Sequence, residues 1–205
     1  MPQPSSDIAF TPAVKALQAA RGSRDAYAIR EGRGGFRTVI EADLIRFLAE
    51  VDTAYLATAN AEGQPYAQHR GGPKGFIRAL DDHTIGFADF SGNRQYISTG
   101  NLAENDKAFL FLMDYAHRRR VKLWGHARIV EGDAALTARL MPEGYRARPE
   151  QVILFTVAAW DTNCSQHIPQ KFDAADVAAA FGRLEERIAT LEAENARLEQ
   201  QLRAA

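Results

Sequence analysis

The sequence predicts a mainly β fold, with antiparallel strands forming a barrel between a helical N-terminal extension and a C-terminal coiled-coil helix. About seven segments have the length and the alternating or β-branched composition of strands, and turn-forming residues separate them. Only two short helical segments interrupt them, at roughly 94–102 and 133–141, so successive strands are expected to pair as a meander. Closed barrels are the usual way for such a meander to avoid free edges.

The N-terminal extension is predicted to be helical. Residues 12–21 and 41–50 have amphipathic spacing, with Thr11 at the start of the first segment and Glu41 or Asp43 at the start of the second. The stretch between them, RGSRDAYAIREGRGGFR, is rich in Gly and Arg, so we expect it to be irregular.

The predicted strands follow in order along the chain. They cover residues 53–59, 65–70, 76–80, 84–90, 108–113, 120–130 and 151–160. The sequence NAEG at residues 60–63 predicts a turn, so the first two strands should form a hairpin. Along 120–130 the residue types alternate, which predicts Lys122 and Trp124 on one face and Val121 and Leu123 on the other.

Composition and charge exclude several classes of protein. The 205 residues include 25 basic and 26 acidic side chains, so a net charge of −1 gives no reason to expect nucleic acid or an anionic membrane as partner. No apolar run reaches the ~20 residues of a membrane span. The single cysteine, Cys164, rules out an internal disulfide, and the first residues lack an export-signal pattern, so we expect a cytoplasmic protein.

The last thirty or so residues have the spacing of a coiled coil. Apolar residues recur at alternating steps of four and three at Val177, Phe181, Leu184, Ile188, Leu191, Leu198 and Leu202. With the leucines 184, 191 and 198 at heptad position d, Asn195 takes an a position, which favours two parallel strands in register. An amphipathic helix packed on its own domain is the alternative. A basic-region zipper is excluded, because no basic run precedes the heptads.

Polar residues crowd the ends of two predicted strands. In residues 68–75, QHRGGPKG, the glycines allow close approach of the backbone to a flat ligand and the Arg and Lys supply positive charge. Residues 91–95, SGNRQ, are expected to open a helix, where backbone N–H groups, a hydroxyl and Arg94 would suit a phosphate. A glycine loop with solvated charges and an ordinary helix cap are the alternatives.

A third polar segment, WDTNCSQHIP, lies between the last strand and the heptads. Cys164 and His167 lack the second ligand pair of a structural zinc site. No feature of the sequence indicates that the thiol is activated as a nucleophile. The five histidines show no metal-ligand spacing, so no metal site is expected.

Three segments in chain order resemble the pyridoxamine 5'-phosphate oxidase-like flavoproteins. They are YLATANAEGQPYAQHRGGPKGF, IGFADFSGNRQYISTGNLAENDKAFLFLMDYAHRRRVKLWGHARIV and WDTNCSQHIPQKF, and the likeness covers roughly residues 40–172. The resemblance implies a six-stranded antiparallel split β-barrel with FMN at the interface of a homodimer. We therefore expect a helical extension at 1–50, an FMN-binding split barrel at 51–172 and a parallel dimeric coiled coil at 173–205.

The resemblance also implies which residues hold the cofactor. The residues that would line the flavin ring or its phosphate are Gln68, His69, Arg70 and Gly71. The phosphate-side loop would comprise Ser91, Gly92, Asn93 and Arg94, and Asn101 begins the stretch that follows. The strand that reaches toward the cofactor contributes Arg120 and Lys122, and Gln166 and His167 would approach it from the partner chain.

One departure limits the function that the resemblance implies. The true oxidases end with a tryptophan followed by an arginine and a histidine that hold pyridoxal phosphate, whereas a coiled coil occupies that end here. We therefore expect an FMN-binding oxidoreductase of unknown small-molecule substrate rather than a vitamin oxidase. A non-catalytic flavin carrier or sensor, or a barrel that binds deazaflavin or haem, is the alternative.

Overall fold

The computed structural model describes residues 3–162 and 165–204. The chain divides into two compact units, one of residues 1–114 with 119–166 and one of residues 115–118 with 167–205. The first unit holds the N-terminal helices and the β-sheet, and the second holds the C-terminal helix. Within the described ranges, no helix combines the length and the apolar character that a bilayer crossing requires.

The N-terminal extension is helical, as predicted. A one-turn 3₁₀ helix at Ser5–Ile8 precedes α1 (Pro12–Ala20), α2 (Arg24–Gly32) and α3 (Ala42–Glu50). Thr11 caps α1, since its hydroxyl accepts a hydrogen bond of 3.3 Å from the Val14 amide. In α3 the spacing of apolar residues places Leu44, Phe47 and Leu48 on its buried face.

Helix α2 was not predicted, and the expectation of an irregular segment there is wrong. Of the four glycines in that stretch, Gly22, Gly34 and Gly35 have positive φ and lie outside the helix. Gly32 is the last residue of α2, so no glycine interrupts the helix. The side chain of Arg24 donates to Gln18 of α1 at 2.6 Å and to Glu31, two turns further along the same face of α2. Local side-chain bonds therefore stabilise a helix whose composition alone was ambiguous.

Seven antiparallel strands form one sheet in the part of the chain that the structure describes. They are β1 (Thr53–Ala59), β2 (Pro65–Gly71), β3 (Arg78–Ala79), β4 (Thr84–Phe90), β5 (Lys107–Asp114), β6 (Arg119–Val130) and β7 (Pro149–Thr162). Their order in the sheet is β2-β1-β5-β6-β7-β4-β3. The fold is the predicted mainly β split barrel, and its strand count exceeds the implied six by the two-residue β3.

Strand β3 is shorter than the predicted 76–80. The amide of Phe76 donates to the Pro73 carbonyl at 3.0 Å and so closes a turn instead of joining a ladder. Phe76 and Ile77 are nevertheless buried, because their side chains fill the core from this turn. Apolar composition predicted a strand here, but the chain buries the same residues in a turn.

The core lies on one face of the strands. Leu56, Leu110 and Leu123 are neighbours across β1, β5 and β6, and each is fully buried. Burial of such a side chain contributes roughly 1.5–3 kcal/mol. Trp160 of β7 is also buried, and its indole N–H donates to the Val39 carbonyl at 2.8 Å, which ties the segment before α3 to the sheet.

Side chains join the two ends of the sheet. Strands β2 and β4 are first and sixth in the sheet order, yet Arg70 of β2 donates to the carboxylate of Asp89 of β4. The helix that follows β4 adds a second link, since Ser98 donates to the Gln68 side chain at 2.8 Å. The sheet therefore curls until its ends meet through side chains.

Two short helices follow strands of the sheet. Helix α5 (Ala134–Leu140) lies where it was predicted, and Asp133 caps it by accepting a bond of 2.8 Å from the Leu136 amide. Helix α4 (Ile97–Glu104) begins three residues later than predicted. Arg94 and Tyr96 have left-handed φ of 59° and 54°, which an α-helix does not allow, so residues 91–95 form a loop before the helix rather than its first turn.

The second unit contains the long helix α6 (Ala174–Ala204). The predicted helix is confirmed, and its pairing with a second copy stays a prediction. The apolar side chains at the heptad positions are exposed, from 39% at Val177 to 79% at Leu202.

Candidate functional site

A polar cleft lies where β2, the loop after β4 and the start of α4 meet. Its volume is about 60 Å³. The residues that line it are Gln68, Arg70, Asp89, Phe90, Gly92, Asn93, Arg94, Tyr96, Ser98, Thr99 and Glu150. The structure thus brings together two segments that the sequence singled out separately, residues 68–75 and 91–95.

Arg70 is the buried cation of this cleft. Its side chain is 13% exposed and is paired with Asp89, whose second carboxylate oxygen accepts a hydrogen bond of 2.8 Å from Gln151. The Nε of Arg70 is buried and has no hydrogen-bond partner among the described residues. An unsatisfied buried donor costs about 1–3 kcal/mol, so an acceptor that reached this Nε would offset that cost.

Arg94 stands at the exposed rim of the cleft. Its Nε donates to the Tyr96 hydroxyl at 3.1 Å, and that hydroxyl donates to the Glu150 carboxylate at 3.2 Å. The hydrogen bond to Tyr96 raises the pKa of Arg94, which remains charged. Left-handed backbone at two non-glycine residues costs of order 1–3 kcal/mol each, and such strain clusters at functional sites. Both left-handed residues, Arg94 and Tyr96, line the cleft.

Three of the predicted residues support the cleft or lie beside it instead of lining it. Ser91 holds the loop, since its amide donates to the Arg148 carbonyl at 2.9 Å. Asn101 ties α4 to β1 through a bond of 3.0 Å from its amide to the Thr58 hydroxyl. Gly71 follows Arg70, and a Cβ at this position would lie 2.8 Å from the His69 ring, so a larger residue would displace that ring.

His69 and Lys122 lie on the other face of the sheet. Strand geometry turns adjacent side chains to opposite faces, so Arg70 faces the cleft and His69 faces away. Cross-strand register places His69, Tyr55, Phe111 and Lys122 in one row across β2, β1, β5 and β6. We call this surface the aromatic face, defined by the half-buried rings of Tyr55, Phe109, Phe111 and Trp124.

Cationic side chains gather at the β6 end of the aromatic face. Lys122 Nζ lies 5.1 Å from the centre of the Trp124 ring and 3.9 Å from the Asp161 carboxylate. Arg30 of α2 donates to the same carboxylate. Burial lowers the pKa of Lys122, Asp161 opposes the shift, and the nearby Arg120 and Arg30 add to it. The cluster therefore contains one carboxylate, from Asp161, and three cationic side chains.

Like Arg70, Arg120 has an unsatisfied hydrogen-bond donor. Its Nε is buried and has no hydrogen-bond partner among the described residues. It lies one row from Lys122 on the same face, because both have the same parity in β6. A planar ligand with acceptor atoms fits this combination of half-buried rings and unsatisfied positive donors.

The third polar segment places its two predicted site residues at the surface of the chain. Gln166 and His167 are exposed, and His167 has a positive φ of 61°. Asn163 and Cys164 lie outside the described residues. In residues 3–162 and 165–204, no three His, Cys, Asp or Glu side chains are placed to hold a metal ion.

Several residues of the site were not predicted. Asp89 and Gln151 complete the Arg70 network, and Tyr96 and Glu150 position Arg94. Asp89 was detectable, because it is an acidic residue inside the otherwise apolar strand TIGFADF. Gln151 and Glu150 gave no signal, since their partners are distant in the sequence.

The comparison with protein families gives one match. The family model described as pyridoxamine 5'-phosphate oxidase matches residues 40–164, which is more than half of the chain. No curated protein matches the chain.

Solved structures with a similar fold come from several bacteria. HupZ from Group A Streptococcus is 22% identical, with 63% of this chain and 94% of that chain covered and a TM-score of 0.46. An FMN-binding protein from Syntrophomonas wolfei is 13% identical, with 73% and 97% covered and a TM-score of 0.47. General stress protein 26 from Bacillus anthracis is 14% identical, with 58% and 89% covered and a TM-score of 0.44.

Proposed function

The chain belongs to the pyridoxamine 5'-phosphate oxidase family, and we propose that it is an FMN-binding flavoprotein that works as an oxidoreductase on a small molecule. The observation that carries the proposal is a polar cleft lined by Arg70 and Arg94, in which Arg70 has a buried Nε without a hydrogen-bond partner among the described residues. FMN, when bound, supplies the electron transfer, whereas the protein supplies binding, orientation and electrostatics.

The cleft fits the phosphate of FMN. At about 60 Å³ it is large enough for a phosphate group and too small for a flavin ring. Arg70 and Arg94 offer guanidinium donors, and the Ser98 and Thr99 hydroxyls lie in its wall. Asp89 and Glu150 limit the net positive charge, so the cleft favours a phosphate mainly through directed hydrogen bonds.

The aromatic face fits the ring of the cofactor. It offers half-buried aromatic surface with His69, Arg120 and Lys122 around it, and strand β2, which carries both His69 and Arg70, is first in the sheet order. In the described residues β2 therefore has a strand, β1, on one edge only, and its other edge is not covered by a paired strand. One ligand with a phosphate and a flat ring can contact residues on both faces of β2.

A homodimer belongs to the same proposal. Half-buried rings clustered on a sheet face are typical of a protein–protein interface. An isologous pair of aromatic faces would enclose a cofactor between the two chains. Gln166 and His167 would then approach the cofactor of the second copy. A cytoplasmic location completes the proposal.

The decisive experiment compares FMN with riboflavin. Purified protein is titrated with each flavin while flavin fluorescence and the visible spectrum are recorded. Two guanidinium contacts to phosphate predict FMN binding at least about a hundredfold tighter than riboflavin, which lacks the phosphate. Equal affinity for the two flavins would overturn the phosphate site, and a protein with no affinity for either would overturn the proposal.

Further spectra separate the alternatives within the proposal. Deazaflavin and haem are titrated in the same way, and tighter binding of either would replace FMN as the cofactor. Bound FMN is then reduced with a nicotinamide cofactor and exposed to oxygen or to another acceptor. Repeated turnover supports an oxidoreductase, whereas binding without turnover would support a carrier or sensor.

A further inference from the structure

We propose that α6 pairs with α6 of a second copy of this chain as a parallel, in-register two-stranded coiled coil. This interface is formed by the second unit alone and does not depend on the cofactor. Its surface is the heptad seam, defined by Val177, Phe181, Leu184, Ile188, Leu191, Asn195, Leu198 and Leu202.

The apolar side chains of the seam lack cover in a single chain. Phe181, Leu184 and Ile188 are each more than half exposed, as is Leu202 at the other end. Four large exposed apolar residues in one stripe exceed the scattered apolar exposure that is normal for a protein surface. At ~1.5 Å per residue α6 is long enough for more than four heptads, which is sufficient for a stable pair of helices.

The N-terminal end of the seam opens into an apolar groove. Its volume is about 290 Å³, and its walls are Phe172, Asp176, Val177, Ala180, Phe181 and Leu184. Val177, Phe181 and Leu184 are seam positions d, a and d, so a helix that follows the seam also fills the groove. Phe172, which is 63% exposed, would pack against that helix at its start.

Charges beside the seam favour parallel over antiparallel pairing. The e positions flanking leucines 184, 191 and 198 are all acidic, at Glu185, Glu192 and Glu199. In an antiparallel pair e faces e, so these glutamates would oppose one another along one side. In a parallel pair g faces e, and Arg187 meets the second copy's Glu192. Only the contact of Glu194 with the second copy's Glu199 remains repulsive, and Arg203 lies 3.7 Å from Glu199 in its own helix.

Asn195 sets the register. In a parallel in-register pair its amide meets the same amide of the second copy, and the two satisfy each other. Any shift by one heptad places each amide against leucine or isoleucine and leaves buried polar groups unpaired, which costs about 1–3 kcal/mol for each group. A second copy of this chain therefore matches the seam in shape, charge and polarity.

Disulfide trapping in the full chain tests orientation and register together. In a Cys164→Ser background, Leu198→Cys at position d should form a disulfide between two chains in a glutathione buffer. Gln200→Cys, at the outward f position two residues away, is the matched control. We expect the position-198 disulfide to be favoured at least about tenfold over the control, because d positions face each other across the seam whereas f positions point outward.

Mixed samples test the antiparallel arrangement. A mixture of Phe181→Cys and Leu198→Cys chains would form disulfides between the two variants if the helices ran in opposite directions. That result would overturn the proposal, as would equal trapping at 198 and 200. Circular dichroism checks that each variant keeps its helix content.

A charge substitution tests the same interface without cysteine. Glu194→Lys should turn the repulsive contact into an attractive one and increase trapping at position 198, whereas Glu186→Lys, at an outward f position, should not change it. If both substitutions act alike, the effect comes from net charge and the assigned heptad positions are wrong.

Discussion

Arg70 and Asp89 form a nearly buried ion pair between the first and the sixth strand of the sheet. The pair joins the ends of the curled sheet and sets the direction of a guanidinium whose buried Nε has no hydrogen-bond partner among the described residues. If the cleft binds phosphate as proposed, the free energy of folding and the affinity for phosphate are coupled at this pair.

The first prediction concerns that coupling. Asp89→Ala leaves the Arg70 charge largely buried and uncompensated, so it should lower the free energy of unfolding by roughly 3–5 kcal/mol. Arg70→Met combined with Asp89→Ala should cost less than the sum of the single changes. Urea denaturation of the four proteins measures this, and strictly additive costs would show that the pair makes no specific contribution.

The second prediction concerns Arg94. Arg94→Ala removes one of the two guanidinium groups of the cleft and should weaken FMN binding about ten- to a hundredfold, with riboflavin binding unchanged. Tyr96→Phe removes the hydroxyl that holds Arg94 and should have a smaller effect in the same direction. The exposed Arg46→Ala serves as control. Arg94→Ala protein that purifies with a full complement of flavin would contradict the assignment.

The third prediction concerns pH. Burial lowers the pKa of Lys122 below its ordinary 10.5, so the unfolded chain binds more protons than the folded chain between the lowered and the ordinary value. The buried charge of Lys122 therefore destabilises the fold at neutral pH, and the free energy of unfolding should increase as pH rises through that window. Lys122→Met should flatten this rise and weaken FMN binding, and exposed Lys107→Met should do neither. Denaturation at about pH 8 and about pH 10 measures the slope.

The fourth prediction concerns a glycine in β6. A register shift between Trp124 and Gly125 brings the β7 backbone so close that a Cβ on Gly125 would lie 2.0 Å from the Thr156 carbonyl oxygen. Gly125→Ala should therefore destabilise the fold by about 3 kcal/mol or more. Gly100→Ala in α4 meets no atom within 4 Å and should stabilise by up to ~1 kcal/mol. Similar thermal midpoints for the two variants would contradict this reading of the bulge.

Most of the strands could be predicted from the sequence because their signal is local. In β1 every second residue is buried, and the ends of β1 and β4 agree with the prediction to the residue. The errors arose where tertiary contacts outweigh composition. Helix α2 is stabilised by Arg24 bonds that composition does not reveal, and Phe76 is buried without being in a strand.

The candidate site was predictable only in part. Polar residues at strand ends indicated both sides of the cleft, but not that Arg70 would face it while His69 faces the other way. That division depends on the register of β2 against β1, and the role of Asp89 depends on the curl of the whole sheet. Neither can be read from residues that are adjacent in the sequence.

Strand β7 has a consequence for the synthesis of this protein. It pairs with β6 on one side and with β4 on the other, and the β4 residues meet partners that leave the ribosome about sixty to seventy residues later. Until then the nascent chain exposes open edges of both β4 and β6, which are templates for aggregation. A ribosome that stalls before residue 149 would therefore release a product prone to aggregate, and chaperone binding should be concentrated in that interval.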